Sequence, residues 1–213
     1  MTRDYQKGLE AALKLAPVVP VMVIDNVEDA VPLARALVKG GLPVLEITLR
    51  TPQAMDCIRA IAAEVEGAFV GSGTVLTPEQ LQDSYKLGCK FAVSPGSTET
   101  LLKSAEDYDI ALLPGGVTAS ECMKLLEWGY SIQKFFPAEP AGGTAYLASL
   151  ASPLPQVRFC PTGGITLETA PSYLKLANVI TIGGSWMAPK KLIAAKDWAA
   201  IEKLARQAAE LKG

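Results

Sequence analysis

Short apolar runs rich in β-branched residues recur along the whole chain, and each is followed by a segment with helical patterning. There are eight such runs, and they begin roughly 20 to 27 residues apart, the length of one strand–helix unit. They span residues 18–24, 44–48, 69–74, 91–94, 111–115, 131–137, 157–164 and 179–185. Eight consecutive strand–helix units predict a parallel (β/α)8 TIM barrel, which we expect to be preceded by a helix over roughly residues 3–15.

The regular spacing of the runs also bears on the number of domains. No linker, low-complexity stretch or change in composition interrupts the spacing, so we predict a single barrel domain over residues 1–213. The alternative fold is a doubly wound open sheet. It is disfavoured because no G-x-G-x-x-G sequence follows the first run, and because the even spacing persists to the last one.

Helix start signals lie between the runs. Residues 51–52 and 77–78 are both Thr-Pro, which places a capping hydroxyl before a proline at the first helical position. Residues 77–80 and 118–121 also match the capping box, in which the first and fourth residues satisfy each other's backbone. The sequence therefore predicts helices that begin just after residues 51, 77 and 118.

The chain contains no histidine, and this limits its chemistry. Without histidine there is no Ser-His-Asp triad, no Cys-His pair and no imidazole zinc site. The 4 cysteines are scattered and form no C-x-x-C motif, so we predict no metal site and no redox pair. Reduced thiols are typical of the cytoplasm, where we expect the protein to work. Proton transfer must then use Asp, Glu, Lys, Tyr, Cys or water.

Charge and hydropathy exclude further classes of protein. The formal net charge is −2 and no basic tract is present, so we expect no nucleic-acid partner. The longest apolar run, residues 17–24, is too short to span a bilayer, and we expect no membrane partner. The N-terminal residues are patterned as an amphipathic helix and do not resemble a signal peptide.

A lysine lies in the middle of the run at 131–137. Strand alternation places Ile132, Lys134 and Phe136 on one face. If that face lines the barrel, apolar neighbours enclose the ammonium, and the loss of solvation favours its neutral form. A neutral lysine amine attacks carbonyl groups and forms Schiff bases. The alternative is a lysine that pairs with a carboxylate or extends its ammonium out of the barrel end.

The run at 44–48 and its continuation carry further polar groups. Alternation aligns Val44, Glu46, Thr48 and Arg50 on one face. A (β/α)8 barrel places its active site at the carboxyl ends of the strands. A carboxylate near Lys134 can move protons, and a guanidinium can clamp a substrate carboxylate. A purely structural Glu46–Lys134 ion pair is the alternative, but such pairs seldom stabilise more than apolar packing would. The pattern therefore favours a functional role for Glu46 and Lys134 over a structural one.

The last two runs end in glycines, at residues 163–164 and 183–185 (Gly-Gly-Ser). Glycines leave backbone N–H groups open to a ligand, and the loops after the seventh and eighth strands form the common phosphate site of barrels. Ordinary turn glycines are the alternative, although two such turns in adjacent loops favour a phosphate site. Thr74, Pro95 and Thr162 also fall at strand ends and could line the cavity.

The chain closely resembles the 2-keto-3-deoxy-6-phosphogluconate (KDPG) aldolase family over nearly its whole length. The likeness extends from residue 17 to residue 186. Its most specific parts are Glu46, Lys134 followed by Phe-Phe-Pro, and the Pro-Thr-Gly-Gly of residues 161–164. The segments that carry it are LEITLRT (45–51), GSGTVL (71–76), VSPG (93–96), KFFPAE (134–139), RFCPTGG (158–164) and GGSW (183–186).

The resemblance implies a class I aldolase that needs no metal and no cofactor, in the cytoplasmic Entner–Doudoroff route, and it implies a homotrimer. The implied substrate is a phosphorylated 2-keto acid, KDPG, which is cleaved to pyruvate and D-glyceraldehyde 3-phosphate. Lys134 matches the Schiff-base lysine of the family, and Glu46 matches its general acid/base.

The resemblance also implies how the substrate is held. Arg50 and Thr74 match the residues at the pyruvate carboxylate, and Thr162 matches a position tied to stereochemical preference at the aldehyde carbon. The expected phosphate turns are Gly163, Gly164, Gly184 and Ser185. Pro95 and Phe136 complete the predicted substrate contacts.

Three other functions stay open at this point. The first is the same lyase chemistry on unphosphorylated 4-hydroxy-2-oxoglutarate (KHG) or on the galactonate-derived epimer of KDPG. The second is a phosphosugar isomerase or epimerase, in which Glu46 shuttles a proton and Lys134 only polarises a carbonyl. The third is a non-catalytic phosphosugar sensor, which would have no reason to keep a lysine beside a glutamate inside the barrel.

Overall fold

Parallel strands and helices alternate along the chain in the computed structural model, which describes Gln6 and residues 8–211. The described residues contain eight strands, in agreement with the eight apolar runs. These strands are β1 Val18–Met22, β2 Val44–Thr48, β3 Phe69–Gly73, β4 Phe91–Val93, β5 Ala111–Leu113, β6 Ile132–Phe135, β7 Arg158–Pro161 and β8 Ile182–Gly184.

The helices follow the strands in chain order. They are α1 Leu9–Leu13, α2 Val27–Lys39, α3 Ala54–Glu64, α4 Pro78–Lys86, α5 Glu99–Ser104 (continued by a 3-10 turn, Ala105–Asp107), α6 Ala119–Glu127, α7 Gly143–Ser149, α8 Ala170–Leu174, α9 Lys190–Ala194 and α10 Trp198–Ala209. The helix expected over 3–15 corresponds to α1, and residues 3–5 and 7 of that prediction lie outside the described residues. No helix in the described ranges has the length and apolar character needed to cross a membrane.

The strands close into a barrel. Six of them form a sheet in the order β5-β4-β3-β2-β1-β8, and β6 pairs with β7. Parallel bridges from Gly115 to Lys134 and from Thr162 to Gly183 join this pair to both edges of the sheet. At the first bridge the backbone N–H of Gly116 donates to the carbonyl of Lys134 at 3.0 Å. The predicted (β/α)8 barrel is confirmed, and the open-sheet alternative is wrong.

Strand alternation divides the apolar residues into two layers. Inward-facing strand residues form a core inside the barrel: Val19, Val44, Phe91, Val93, Leu113, Ile132 and Cys160. Outward-facing residues such as Ile47 and Phe135 belong to a second, larger core between the strands and the helices. Since Ile132 faces inward and Phe135 outward, Lys134 lies on the inner face of β6, as the alternation predicts.

The N-terminal segment closes one end of the barrel. Leu9 and Leu13 of α1 join the inner core. The side-chain amide of Gln6 donates to the carbonyls of Leu112 at 3.2 Å and Ile132 at 2.6 Å, and its oxygen accepts from the backbone N–H of Ile132 at 2.8 Å. Gln6 therefore bridges β5 and β6 where these two strands belong to separate sheets. The opposite end, at the carboxyl ends of the strands, is left for a ligand.

Two of the three helix start signals are confirmed. At residues 77–80 and 118–121 the threonine hydroxyl accepts a backbone N–H of the first helical turn, and the second of these is a complete capping box. The signal at Thr51 is wrong, because α3 begins only at Ala54. The Thr51 hydroxyl instead donates to the carbonyl of Ile24 at 2.8 Å, which ties the loop after β2 to the end of β1.

Candidate active site

A lysine and a glutamate meet inside the barrel. Lys134 on β6 donates a hydrogen bond from Nζ to Oε1 of Glu46 on β2 at 3.1 Å, and each side chain is only 4% exposed. In a closed eight-stranded barrel β2 and β6 face each other, so the two side chains join across the interior. Both residues were predicted from sequence, and the structure brings them into direct contact. A buried amine beside a carboxylate can exchange a proton with it.

Apolar groups surround this pair. The ring centroid of Phe136 lies 5.5 Å from the Lys134 ammonium. Cys160 is opposite Lys134 in the β6–β7 register and belongs to the inner core. Burial raises the pKa of the Cys160 thiol to about 12, and the nearby Lys134 charge offsets this only in part. The thiol is therefore neutral near pH 7 and does not compete with the lysine as a nucleophile.

An arginine and a threonine lie at the carboxyl ends of β2 and β3. Arg50, in the turn after β2, donates from Nε to Oγ1 of Thr74 at 3.0 Å. Thr74 has φ = +56°, which is rare for a β-branched residue because the left-handed region crowds its side chain. Such strain is found mostly where the surrounding structure needs the conformation. Here the strained residue holds the guanidinium in place.

A cleft of about 190 Å³ opens at this end of the barrel. Seven of the residues predicted from sequence line it: Arg50, Phe136, Thr162, Gly163, Gly164, Gly184 and Ser185. Phe136 lines the cleft, and its ring also lies beside the Lys134 ammonium, so the cleft and the buried pair share this side chain as a neighbour.

Four predicted residues lie outside the lining of this cleft: Lys134, Glu46, Thr74 and Pro95. Thr74 reaches it only through Arg50. Pro95 lies just after β4, where its carbonyl packs closely against Gly115, and its substrate contact stays a prediction. Sequence reasoning missed three apolar lining residues: Val21, Val23 and Ile165. Alternation along β1 was the available signal for the two valines, but an apolar side chain carries no chemical signature.

The glycine turn after β7 presents free backbone donors. Gly163 and Gly164 have φ = +105° and +80°, left-handed values that favour glycine. Within the described part of the chain, the backbone N–H groups of Gly163, Gly164 and Ser185 donate to no protein acceptor. Converging unpaired N–H groups are the usual means of binding an anion through the backbone.

The segment that follows β6 supports this turn. The backbone N–H of Glu139 donates to the carbonyl of Gly163 at 3.0 Å, and a side chain on Gly164 would collide with Glu139. The carboxylate of Glu139 in turn accepts a hydrogen bond from the buried Tyr173 hydroxyl at 2.5 Å. Burial, reinforced by this bond, raises the pKa of Tyr173 above its usual range. The segment that follows the Lys134 strand therefore also holds the glycine turn after β7.

A closed barrel that holds a buried lysine–glutamate pair beside a glycine-lined cleft is an arrangement that suits a (β/α)8-barrel aldolase. The family model for "KDPG and KHG aldolase" matches residues 9–204. The chain belongs to the KDPG and KHG aldolase family. The predicted family is confirmed.

Known relatives match the chain along nearly its whole length. The KHG/KDPG aldolase of Escherichia coli K12 is 50% identical over 208 residues, 98% of each chain. A crystal structure of the Zymomonas mobilis ZM4 KDPG aldolase with 3-phosphoglycerate superimposes with a TM-score of 0.93 at 48% identity and covers 97% of each chain. A Legionella pneumophila KDPG aldolase, with pyruvate captured as a covalent carbinolamine, gives 0.92 at 43% identity, with 94% of this chain and 98% of that chain covered.

Proposed function

We propose that the protein is a class I aldolase that cleaves KDPG to pyruvate and D-glyceraldehyde 3-phosphate. The observation that carries the proposal is the 3.1 Å contact between Lys134 Nζ and Glu46 Oε1 inside the barrel. A nucleophilic amine and a proton-transfer group are the two functions that a Schiff-base aldolase must bring together. The carbinolamine in the Legionella relative, the adduct of an amine with a ketone, supports this chemistry.

In the proposed reaction, Lys134 acts first. Glu46 takes a proton from the ammonium across their hydrogen bond, and the neutral amine attacks the C2 ketone. Loss of water from the carbinolamine gives a protonated imine, which withdraws electrons from C3. Glu46, after returning its proton during dehydration, accepts the C4 hydroxyl proton as the C3–C4 bond breaks and the aldehyde leaves. The enamine is protonated at C3, and hydrolysis of the imine releases pyruvate and regenerates the amine.

The ends of the substrate are proposed to lie at opposite sides of the cleft. The Thr74 hydroxyl accepts the hydrogen bond from Nε of Arg50. The two Nη groups are then left to bind the pyruvate carboxylate as a bidentate pair. Thr162, buried beside the cleft, contacts the aldehyde carbon. The unpaired N–H groups of Gly163, Gly164 and Ser185 hold the phosphate, and Gly184 and Phe136 complete the wall. The 3-phosphoglycerate bound by the Zymomonas relative supports a phosphorylated ligand.

Trapping with borohydride tests the proposed function directly. Enzyme that has been exhaustively chelated with EDTA is divided into two portions. One portion is assayed for cleavage of KDPG, and the other is incubated with pyruvate and borohydride, digested and mapped by mass spectrometry. We expect full cleavage activity and a reduced pyruvyl adduct on the peptide that contains Lys134. An adduct on another lysine, or activity that only added metal restores, would contradict the proposal. If the protein exchanges substrate protons with solvent but cleaves no substrate and forms no lysine adduct, an isomerase or epimerase would be favoured.

Substrate preference separates the main function from its nearest alternative. The Escherichia coli relative carries both KHG and KDPG in its name, so cleavage of 4-hydroxy-2-oxoglutarate is the second candidate. We expect kcat/KM for KDPG to exceed that for the unphosphorylated acid and for the galactonate-derived epimer. The ratio of the three values measures how much of the specificity the phosphate turn supplies.

A charge placed at the phosphate turn is expected to act on the phosphorylated substrate alone. Ser185→Asp puts a carboxylate beside a bound phosphate dianion. We expect the repulsion between the two negative groups to lower kcat/KM for KDPG by about 100-fold or more. Steady-state kinetics on KDPG and on 4-hydroxy-2-oxoglutarate measure the effect. Ser185→Asn, of equal size and neutral, is the control and should cost far less. An equal loss on both substrates would mean that the phosphate binds elsewhere.

Family membership also supports three broader proposals. We infer that the protein works in the cytoplasm, that it belongs to the Entner–Doudoroff route, and that it assembles as a homotrimer of single-domain barrels. Light scattering coupled to size-exclusion chromatography tests the assembly, since a trimer has three times the 22.5 kDa mass of the chain.

A further inference from the structure

Glu46 occupies the space that a side chain on residue 73 would need. A Cβ atom built on Gly73 would lie 2.3 Å from Glu46 Oε1, 2.6 Å from its Cγ and 2.8 Å from its Cδ. Cβ atoms in real structures do not approach other atoms so closely. The backbone of Gly73 lies in a β-strand outside the left-handed region, so this position needs glycine for room and not for conformation.

We propose that Gly73 is a positioning residue for Glu46, because the missing side chain lets the carboxylate extend to the Lys134 ammonium. Glu46 lies opposite Gly71 in the β2–β3 register, and Gly73 is opposite Thr48. The Glu46 side chain therefore leans toward the carboxyl ends of the strands and passes beside Gly73. This inference rests on the proposed role of Glu46 in proton transfer.

The carboxylate has little room to move aside. Glu46 is 3% exposed, and Val44 on the same face belongs to the inner core. The Thr48 hydroxyl donates to the carbonyl of Met22 at 2.8 Å, which fixes the next inward residue of β2. In a close-packed interior an added methyl group must displace its neighbour. The neighbour here is the catalytic carboxylate, and its shift lengthens the contact with Lys134.

A glycine two residues earlier offers a matched comparison. Gly71 lies on the same face of β3, and a Cβ on it would meet the Phe91 ring at 2.5 Å. Phe91 belongs to the inner core, together with Leu9 and Leu13 of α1. Alanine at either position therefore overpacks the barrel by one methyl group, and the atoms nearest to that methyl belong to Phe91 at position 71 and to Glu46 at position 73.

The experiment compares Gly73→Ala with Gly71→Ala, and each with Glu46→Gln. We expect Gly73→Ala to lower kcat, and the exchange of pyruvate methyl protons with deuterated water, by about 100-fold, close to Glu46→Gln. Borohydride trapping at Lys134 should survive in part, slowed as it is in Glu46→Gln, and KM should change little. Gly71→Ala should destabilise the protein to a similar extent and leave kcat within about threefold of the starting enzyme. If both glycine variants lose kcat equally, Gly73 has no special role.

Coupling between the two positions gives the sharper result. Once Glu46→Gln has removed the carboxylate, Gly73→Ala should lower kcat by less than about threefold more, since the group it displaces no longer transfers protons. Effects that multiply in the double variant would overturn the inference. Should Gly73→Ala fail to fold, Glu46→Ala in the same chain removes the colliding atoms and is expected to restore folding. A failure to restore it would also overturn the inference.

The Glu46→Gln variant alone separates this inference from the proposed function. If Glu46→Gln keeps full cleavage and exchange, the proposed role of Glu46 is wrong. If Glu46→Gln loses both while Gly73→Ala keeps them, the proposed function stands and only the positioning role of Gly73 fails.

Discussion

Replacement of Lys134 by alanine is expected to abolish aldol cleavage, with a loss in kcat of at least about 10⁵-fold. Without the amine no imine forms, and the electrons of the breaking C3–C4 bond have no acceptor. Cleavage of KDPG followed by coupled reduction of the released pyruvate measures the loss. Pyruvate trapping with borohydride should disappear with it.

The same substitution is expected to destabilise the barrel, and this effect must be separated from the chemical one. Lys134→Ala leaves a 4% exposed Glu46 side chain without its partner, and an unpaired buried charge costs about 3–5 kcal/mol. The double variant Lys134→Met/Glu46→Gln keeps the volume and removes both charges, so its thermal stability should return while cleavage stays absent. Recovery of cleavage with stability would show that Lys134 acts only through folding.

Replacement of Glu46 by glutamine is expected to lower kcat by about 10²–10⁴-fold. The amide keeps the volume and can still accept a hydrogen bond from Lys134, but it cannot take the C4 hydroxyl proton. Exchange of the pyruvate methyl protons with deuterated solvent should also be lost, because this reaction needs a base but no aldehyde. Single-turnover cleavage and proton NMR measure the two effects.

Imine formation distinguishes a proton-transfer role from general damage to the site. Lys134 remains in the Glu46→Gln variant, so borohydride trapping should survive in part, slowed where Glu46 assists dehydration. A variant that retains full exchange and full cleavage would mean that the carboxylate is structural and that the base lies elsewhere. Loss of trapping equal to the loss of cleavage would instead point to a disturbed lysine.

The fold could be predicted because its signal repeats. Eight apolar runs at even spacing allow little besides a barrel, and an error in the bounds of one run does not change the number of strands. Single helix boundaries depend on local signals that tertiary contacts can overrule. Thr51 shows this, since its hydroxyl binds the carbonyl of Ile24, which belongs to the end of a different strand. A contact of this kind can be recognised only when β1 and β2 have been placed side by side.

The site could be predicted where polar residues occur in apolar strands. Lys134 and Glu46 stand out on this criterion, although nothing in the sequence measures the distance between residues 88 positions apart. Val21 and Val23 line the cleft but look like any core valine. The relation of Gly73 to Glu46 could not be predicted either, because it depends on how one side chain leans across to the neighbouring strand.

The hydrogen bonds of Gln6 impose an order on the assembly of the barrel. Its carbonyl partners on Leu112 and Ile132 lie 106 and 126 residues further along the chain, so the bonds cannot form until β6 has been synthesised and docked. Bringing such distant segments together costs more entropy than any local contact, and contacts of this kind form late. The N-terminal segment thus joins β5 to β6 only after both strands have been placed in the barrel. We therefore expect the seam between β5 and β6 to form late during folding.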